Sequence, residues 1–155
     1  MASQSDKLEP LESWQEIRAP YSLSYRVKLL SQLLARRFSE RLEPYGLTPF
    51  HWIVLCCLWE EDGLSTSSIG EKLKQVGATL TGVLDRMEER DLIFRKRDSR
   101  DRRVWRIFLT DAGKELQSVL PQLAVELREE AMYGISHEQQ EVFSQFLNLA
   151  IANLS

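Results

Sequence analysis

Leu92-Ile93-Phe94-Arg95-Lys96-Arg97-Asp98-Ser99-Arg100-Asp101-Arg102-Arg103-Val104-Trp105-Arg106-Ile107-Phe108-Leu109 is the stretch on which the fold turns. Leu92 to Arg95 reads as a strand, Asp98 to Asp101 as a turn, and Val104 to Leu109 as a returning strand. Both arms are rich in β-branched and aromatic residues, and the centre holds turn formers, so the segment is a β-hairpin. Its charge is as informative as its shape. Between Arg95 and Arg106 seven basic residues face only Asp98 and Asp101, a net +5, whereas the whole chain carries −3 and the remainder therefore −8. A positive field concentrated in a dozen residues of an otherwise acidic chain points to a polyanionic partner. A solvated charged loop would give the same count, so the hairpin's neighbours must be read with it.

Upstream lie short helical segments. Thr48-Pro49 offers an N-cap followed by proline at the first helical position, opening a helix from Phe50 to about Glu60 that is apolar nearly all round. Gly63 stops it, and Ser65 caps a third helix through Leu73. A turn at Gln75-Val76-Gly77 leads into a fourth helix with Leu80, Leu84 and Met87 inward and Thr79, Gly82 and Arg86 on the opposite side. Two short helices joined by a turn, the second with a small polar face, make a helix-turn-helix. A basic hairpin directly after it is a wing.

Further out, Val27, Leu30, Leu34, Phe38 and Leu42 form one face of a long helix ending before Pro44 and Gly46. Thr110 caps a long helix carrying Leu116, Leu120, Leu123 and Leu127, with a bend expected at Pro121. Ser136 and Gln139 form a capping box for a last helix whose stripe is Val142, Phe143, Phe146, Leu147, Ala150 and Leu154. These stripes exceed what a small winged core can cover, which predicts a two-fold homodimer with intertwined terminal helices. The chain therefore reads as mainly α with a small β-hairpin wing. It divides into an N-terminal arm (1–20), a dimerisation helix (21–45), a winged helix-turn-helix core (46–110) and C-terminal dimerisation helices (111–155).

Composition bounds the class. With 155 residues, 43% hydrophobic and 28% charged, the chain is a single globular domain of ordinary size. Its longest apolar run, Trp52 to Trp59, is too short to span a bilayer. Met1 to Asp6 has no secretory pattern, and Cys56-Cys57 cannot build a disulfide framework, so a reducing cytoplasm is expected. There is no G-x-S-x-G, no phosphate-binding glycine loop and no H-E-x-x-H. Glu60-Glu61 and Glu129-Glu130 are sequence neighbours, which do not face one another on a helix. His51 and His137 are the only histidines and have no companions at metal-ligand spacing. Neither catalysis nor a cofactor is expected.

Ala78-Thr79-Leu80-Thr81-Gly82-Val83-Leu84-Asp85-Arg86-Met87-Glu88 resembles the recognition helix of the multiple-antibiotic-resistance-regulator (MarR) family. Asp98-Ser99-Arg100-Asp101-Arg102-Arg103 is similar to that family's wing signature, and Leu109-Thr110-Asp111-Ala112-Gly113 to the element after it. The likeness runs in order from about Tyr25 to Leu154. It implies a cytoplasmic homodimer on a pseudo-palindromic operator, usually repressing, and often released by a small phenolic or aromatic carboxylate ligand or by oxidation. One departure is Asp91, where the family commonly has glycine; aspartate tolerates the left-handed backbone better than most residues.

The resemblance implies that Thr79, Thr81 and Gly82 meet base edges in the major groove of double-stranded DNA, with Ala78 a bystander or a backbone contact. Arg86 would pair with phosphate. Arg102 matches the wing-tip arginine of the minor groove, a channel that suits guanidinium. Asp101 is expected to pair with an arginine and shape the tip. Arg95, Arg97, Arg100 and Arg103 would supply phosphate contacts, although an alternating hairpin cannot aim all of them at one surface. Tyr25, His51 and Trp52 would line an aromatic-ligand pocket, or Trp52 is core and His51 a surface or capping residue. Cys56 and Cys57 lie in the most apolar helix, where burial suppresses thiol reactivity, so packing is the expectation over redox sensing. The alternative for the whole chain is a winged-helix protein-interaction module that does not bind DNA.

Overall fold

A computed structural model of the chain describes residues 14, 16–74 and 78–155, the last stretch without the side chain of Ala78. Most of the N-terminal arm and the turn at 75–77 lie outside the described residues. Helix α1 (Leu23–Leu42) starts where the Ser22 hydroxyl accepts the Tyr25 N–H at 3.2 Å. It stops at a 3₁₀ turn, Glu43–Tyr45, that Pro44 enters and Gly46 closes at φ +64°. Only Phe38 and Leu42, at its C-terminal end, are buried.

Helix α2 (Pro49–Glu60) begins with a capping box in which the usual Glu or Gln is replaced by histidine. Thr48 Oγ1 accepts the His51 N–H at 3.3 Å, and His51 Nδ1 accepts the Thr48 N–H at 3.1 Å. Val54, Leu55, Cys57 and Leu58 of α2 are buried at the centre of the domain. A short strand, β1 (Leu64–Ser65), follows, and Ser65 then caps α3 (Thr66–Leu73) by accepting the Ser68 N–H at 3.1 Å. Helix α4 (Ala78–Glu89) leads through Asp91, at φ +56°, into β2 (Ile93–Arg97) and β3 (Trp105–Leu109). The left-handed aspartate is the conformation its position demanded.

The antiparallel sheet has the order β1-β3-β2. Ile93 faces Leu109 and Arg97 faces Trp105 across the hairpin, while Leu64 pairs with Ile107 on the far side of β3. Ile93, Ile107 and Leu109 turn into the core. Strand β1 is absent from the sequence reading: two residues between a glycine and a cap carry no periodicity.

The expected long helix after Thr110 is broken, not bent. It consists of α5 (Asp111–Glu115), a 3₁₀ turn at Leu116–Ser118, and α6 (Leu120–Ala131). Pro121 sits in the first turn of α6, where its missing N–H costs nothing; continued helix would have required that N–H. The leucine stripe on this segment is also placed differently from expectation. Leu120 is fully buried in the domain's own core, and Leu116, Leu123 and Leu127 pack against that core. Glu130 of α6 pairs with Arg41 and, at 3.5 Å, with Arg37, fastening α6 along α1. Helix α7 (His137–Leu154) opens with the expected Ser136–Gln139 capping box and buries none of its residues.

Candidate nucleic-acid interface

The small-residue face of α4 is open. Thr79 and Thr81 are exposed, and a Cβ placed on Gly82 would meet nothing within 4 Å. Leu80, Val83, Leu84 and Met87 hold the helix from behind. Arg86 and Arg90 lie on the exposed side, Arg90 donating to the Tyr45 carbonyl at 2.9 Å. A groove of about 570 Å³ runs between α4, the start of α3 and the wing, with Thr81 and Asp85 on one wall and Arg103 and Trp105 on the other.

The wing's arginines divide into two sets. Arg95 is clasped by α4, with its Nη2 2.7 Å from Asp85 and its Nη1 2.6 Å from Glu88. Arg97 lies over the Trp105 ring at 4.0 Å and donates to the Arg102 carbonyl. Arg103 pairs with Asp101 at 3.1 Å, the pairing expected of that aspartate. Arg106 binds Asp98 and the Gly63 carbonyl. By contrast, the side chains of Arg100, Arg102 and Lys96 make no ion pair or hydrogen bond among the described residues, and all are exposed.

The apex is built by Asp98, which the sequence reading placed at the start of the turn without assigning it a partner. Its carboxylate accepts the N–H groups of Arg100 (2.8 Å) and Asp101 (2.9 Å) as well as the Arg106 guanidinium. The Asp101 N–H, the Arg106 guanidinium and the Arg100 N–H hold its pKa down at about 2. Trp105, Asp85 and Glu88 were missed. An aspartate at the first position of the expected turn, able to accept the N–H groups that follow it, was a signal for Asp98; the acids on α4 needed the register of β2 against the helix, which one sequence does not show.

The other candidates have structural occupations. His51 is buried and committed to the α2 cap; burial, then Arg90 and Arg86, lowers its pKa from 6.5. Trp52 stacks edge-on between Phe38 (5.4 Å) and Trp59 (5.7 Å), while Tyr25 is partly exposed on α1. Cys57 is buried and Cys56 half-buried; burial and the adjacent thiol push Cys56 up to about 11, so both remain thiols near neutrality. No metal-ligating cluster occurs among the described residues, and no described helix is long and apolar enough to cross a membrane.

Comparison with known proteins gives a consistent result. The family model described as MarR family matches residues 47–105. The HTH-type transcriptional regulator SarZ of Staphylococcus epidermidis is 29% identical over 111 residues, covering 72% of this chain and 74% of SarZ. A MarR transcriptional regulator of Methanosarcina mazei Go1 superposes with a TM-score of 0.78 at 26% identity, over 84% of this chain and 94% of that one. A MepR–DNA complex of Staphylococcus aureus superposes with a TM-score of 0.80 at 25% identity, over 85% and 98% of the two chains. The fold is a winged helix-turn-helix.

Proposed function

We propose that this chain, whose residues 47–105 match the MarR family model, regulates transcription by binding an inverted-repeat operator as a homodimer, most simply as a repressor. Helix α4 enters the major groove, with Thr79, Thr81 and Gly82 against base edges and Arg86 on phosphate. Arg102 at the wing tip enters the flanking minor groove, with Arg100 and Lys96 on the backbone beside it. The observation that carries this reading is the division among the wing's basic residues. Arg102, Arg100 and Lys96 stay exposed and unpaired among the described residues, beside a helix face on which nothing crowds Gly82. An interaction module has no need for unpaired guanidinium groups at the end of a ribbon whose other arginines are all engaged. An aromatic effector finds less support, since His51 and Trp52 each hold a structural contact.

Selection from a random duplex library, followed by mobility shift at two salt concentrations, tests the proposal. The expected product is an inverted repeat with half-site centres about 34–36 Å apart, bound with a steep salt dependence. Recovery of no preferred duplex, or binding equally tight on every sequence, would overturn it.

A further inference from the structure

Arg95 is the hairpin arginine least available to a nucleic acid. Its side chain is only 20% exposed, whereas that of Arg103 is 92% exposed. Its guanidinium spans two carboxylates one helical turn apart on α4, Asp85 at 2.7 Å and Glu88 at 2.6 Å. Glu88 also accepts the backbone N–H of Arg95 at 3.2 Å, so one carboxylate grips both the strand and the side chain. Among the described residues these are the only ion pairs joining α4 to the hairpin.

The position along the ribbon gives this clasp its purpose. Arg95 pairs with Ile107, the last hairpin position at which a side chain of β3 is buried on the way to the tip. Arg106, the next position, still pairs with Ser65 of β1 and donates to the Gly63 carbonyl; beyond it only β2 and β3 continue, and an isolated two-stranded ribbon is marginal in water. Its tilt relative to α4 is soft unless something ties the two together. Asp85 and Glu88 pose a second difficulty, because they are exposed acids on the helix that would face polyanionic phosphate.

We propose that Arg95 is a positioning residue and not a phosphate contact. It struts the wing against the recognition helix, setting where Arg102 falls relative to Thr79 and Thr81, and it neutralises the two acids of α4. The inference rests on the DNA-binding reading above and adds the element that fixes the wing's angle.

The discriminating variant leaves Arg95 in place and removes its partners: Asp85→Asn with Glu88→Gln, beside Arg95→Ala. Each is assayed on the best duplex from the random-library selection by affinity at several salt concentrations and by hydroxyl-radical footprinting. Hydrogen exchange of the Asp98 and Val104 amides is followed without DNA. A strut predicts that both variants lose the wing's flanking minor-groove protection, and that those amides exchange several-fold faster. Arg95→Ala should bind about tenfold more weakly, the low end for one lost specific contact, with a salt slope that falls as the phosphate contacts of the released wing are lost. A phosphate contact predicts instead that Arg95→Ala keeps the wing's footprint and its amide exchange and loses only about 0.9 of slope for each half-site. It also predicts tighter binding with a full footprint in the double variant. Either that pattern, or unaltered exchange and footprint in both variants, overturns the strut. If the wild type selects no duplex, the DNA-binding reading fails, and the exchange measurement still decides whether Arg95 orders the wing.

Discussion

Single side chains at the wing and at the first cap carry the sharpest expectations. Arg102 is exposed at a hairpin tip and contributes nothing to the core, so Arg102→Ala should leave the thermal midpoint unchanged. Affinity for the selected duplex should fall by roughly 1–3 kcal/mol, the cost of one specific groove contact. The loss should be greatest on sites with narrow A·T flanks, and equal affinity of mutant and wild type on such sites removes Arg102 from the interface. His51 yields a pH dependence. Its Nδ1 must be unprotonated to accept the Thr48 N–H, and burial with Arg90 and Arg86 nearby disfavours the cation. A histidine depressed in the fold contributes stability that is fully present above its unfolded value of 6.5 and is lost as pH falls through the lower folded value. Urea denaturation across that window should show a decline, on the order of 1 kcal/mol if the cap is lost, that is absent in His51→Gln. Glutamine at that position keeps the capping box without titrating. A wild type and mutant with identical pH profiles would mean that the cap does not depend on the neutral imidazole.

Secondary elements differ in how plainly the sequence announced them. Helices α2, α3, α5 and α7 each begin at a serine or threonine that was readable as an N-cap, and the hairpin was readable from its alternation and its turn formers. Strand β1 was not, because two residues paired to a distant strand leave no local pattern. The break before α6 was underestimated because proline in a helical pattern signals either a kink or a new start, and only packing on α1 selects between them. The site shows the same division: exposed contact candidates were legible as residue types, whereas Arg95's engagement with α4 depends on register. Helix α5 gives a test at this scale. A Cβ on Gly113 would lie 2.2 Å from the Leu92 carbonyl oxygen, backbone that cannot yield. The Gly113 carbonyl also accepts the Trp59 indole N–H at 2.9 Å, so this helix is seated on both α2 and the residue that leads into β2. Gly113→Ala should cost roughly 1–3 kcal/mol through overpacking, read as a lowered denaturant midpoint. Gly82→Ala, with open space around it, should not destabilise and should act on DNA affinity alone. Equal stability of both variants would show that α5 can shift away from the sheet.

At the scale of the whole molecule, the chain has more apolar helix than it can cover. Leu120 and its neighbours on α6 are satisfied within the domain, so that stripe no longer argues for a partner. Helix α7 still does: Phe146 is 67% exposed, Leu149 59%, Ile151 54% and Leu154 92%. The first half of α1 matches it, with Leu23 at 76% and Val27 at 46%. Covering one such side chain is worth roughly 1.5–3 kcal/mol, and association costs about 4–15 kcal/mol in lost freedom. Burying these residues and their two-fold mates is therefore enough to hold a dimer at micromolar concentration, whereas the wing or α4 alone is not. Two linked recognition helices then make the second half-site encounter effectively intramolecular, which multiplies affinity without any new contact. Ending the chain after Gly134 removes α7 and keeps every residue of the buried core among the described residues. That variant should stay folded by circular dichroism, sediment as a monomer, and lose its preference for the inverted repeat. It should keep only weak, salt-sensitive binding through one wing and one helix. Full-length protein sedimenting as a monomer at micromolar concentration while gripping a single half-site tightly would show that α7 covers something other than a second copy of the chain.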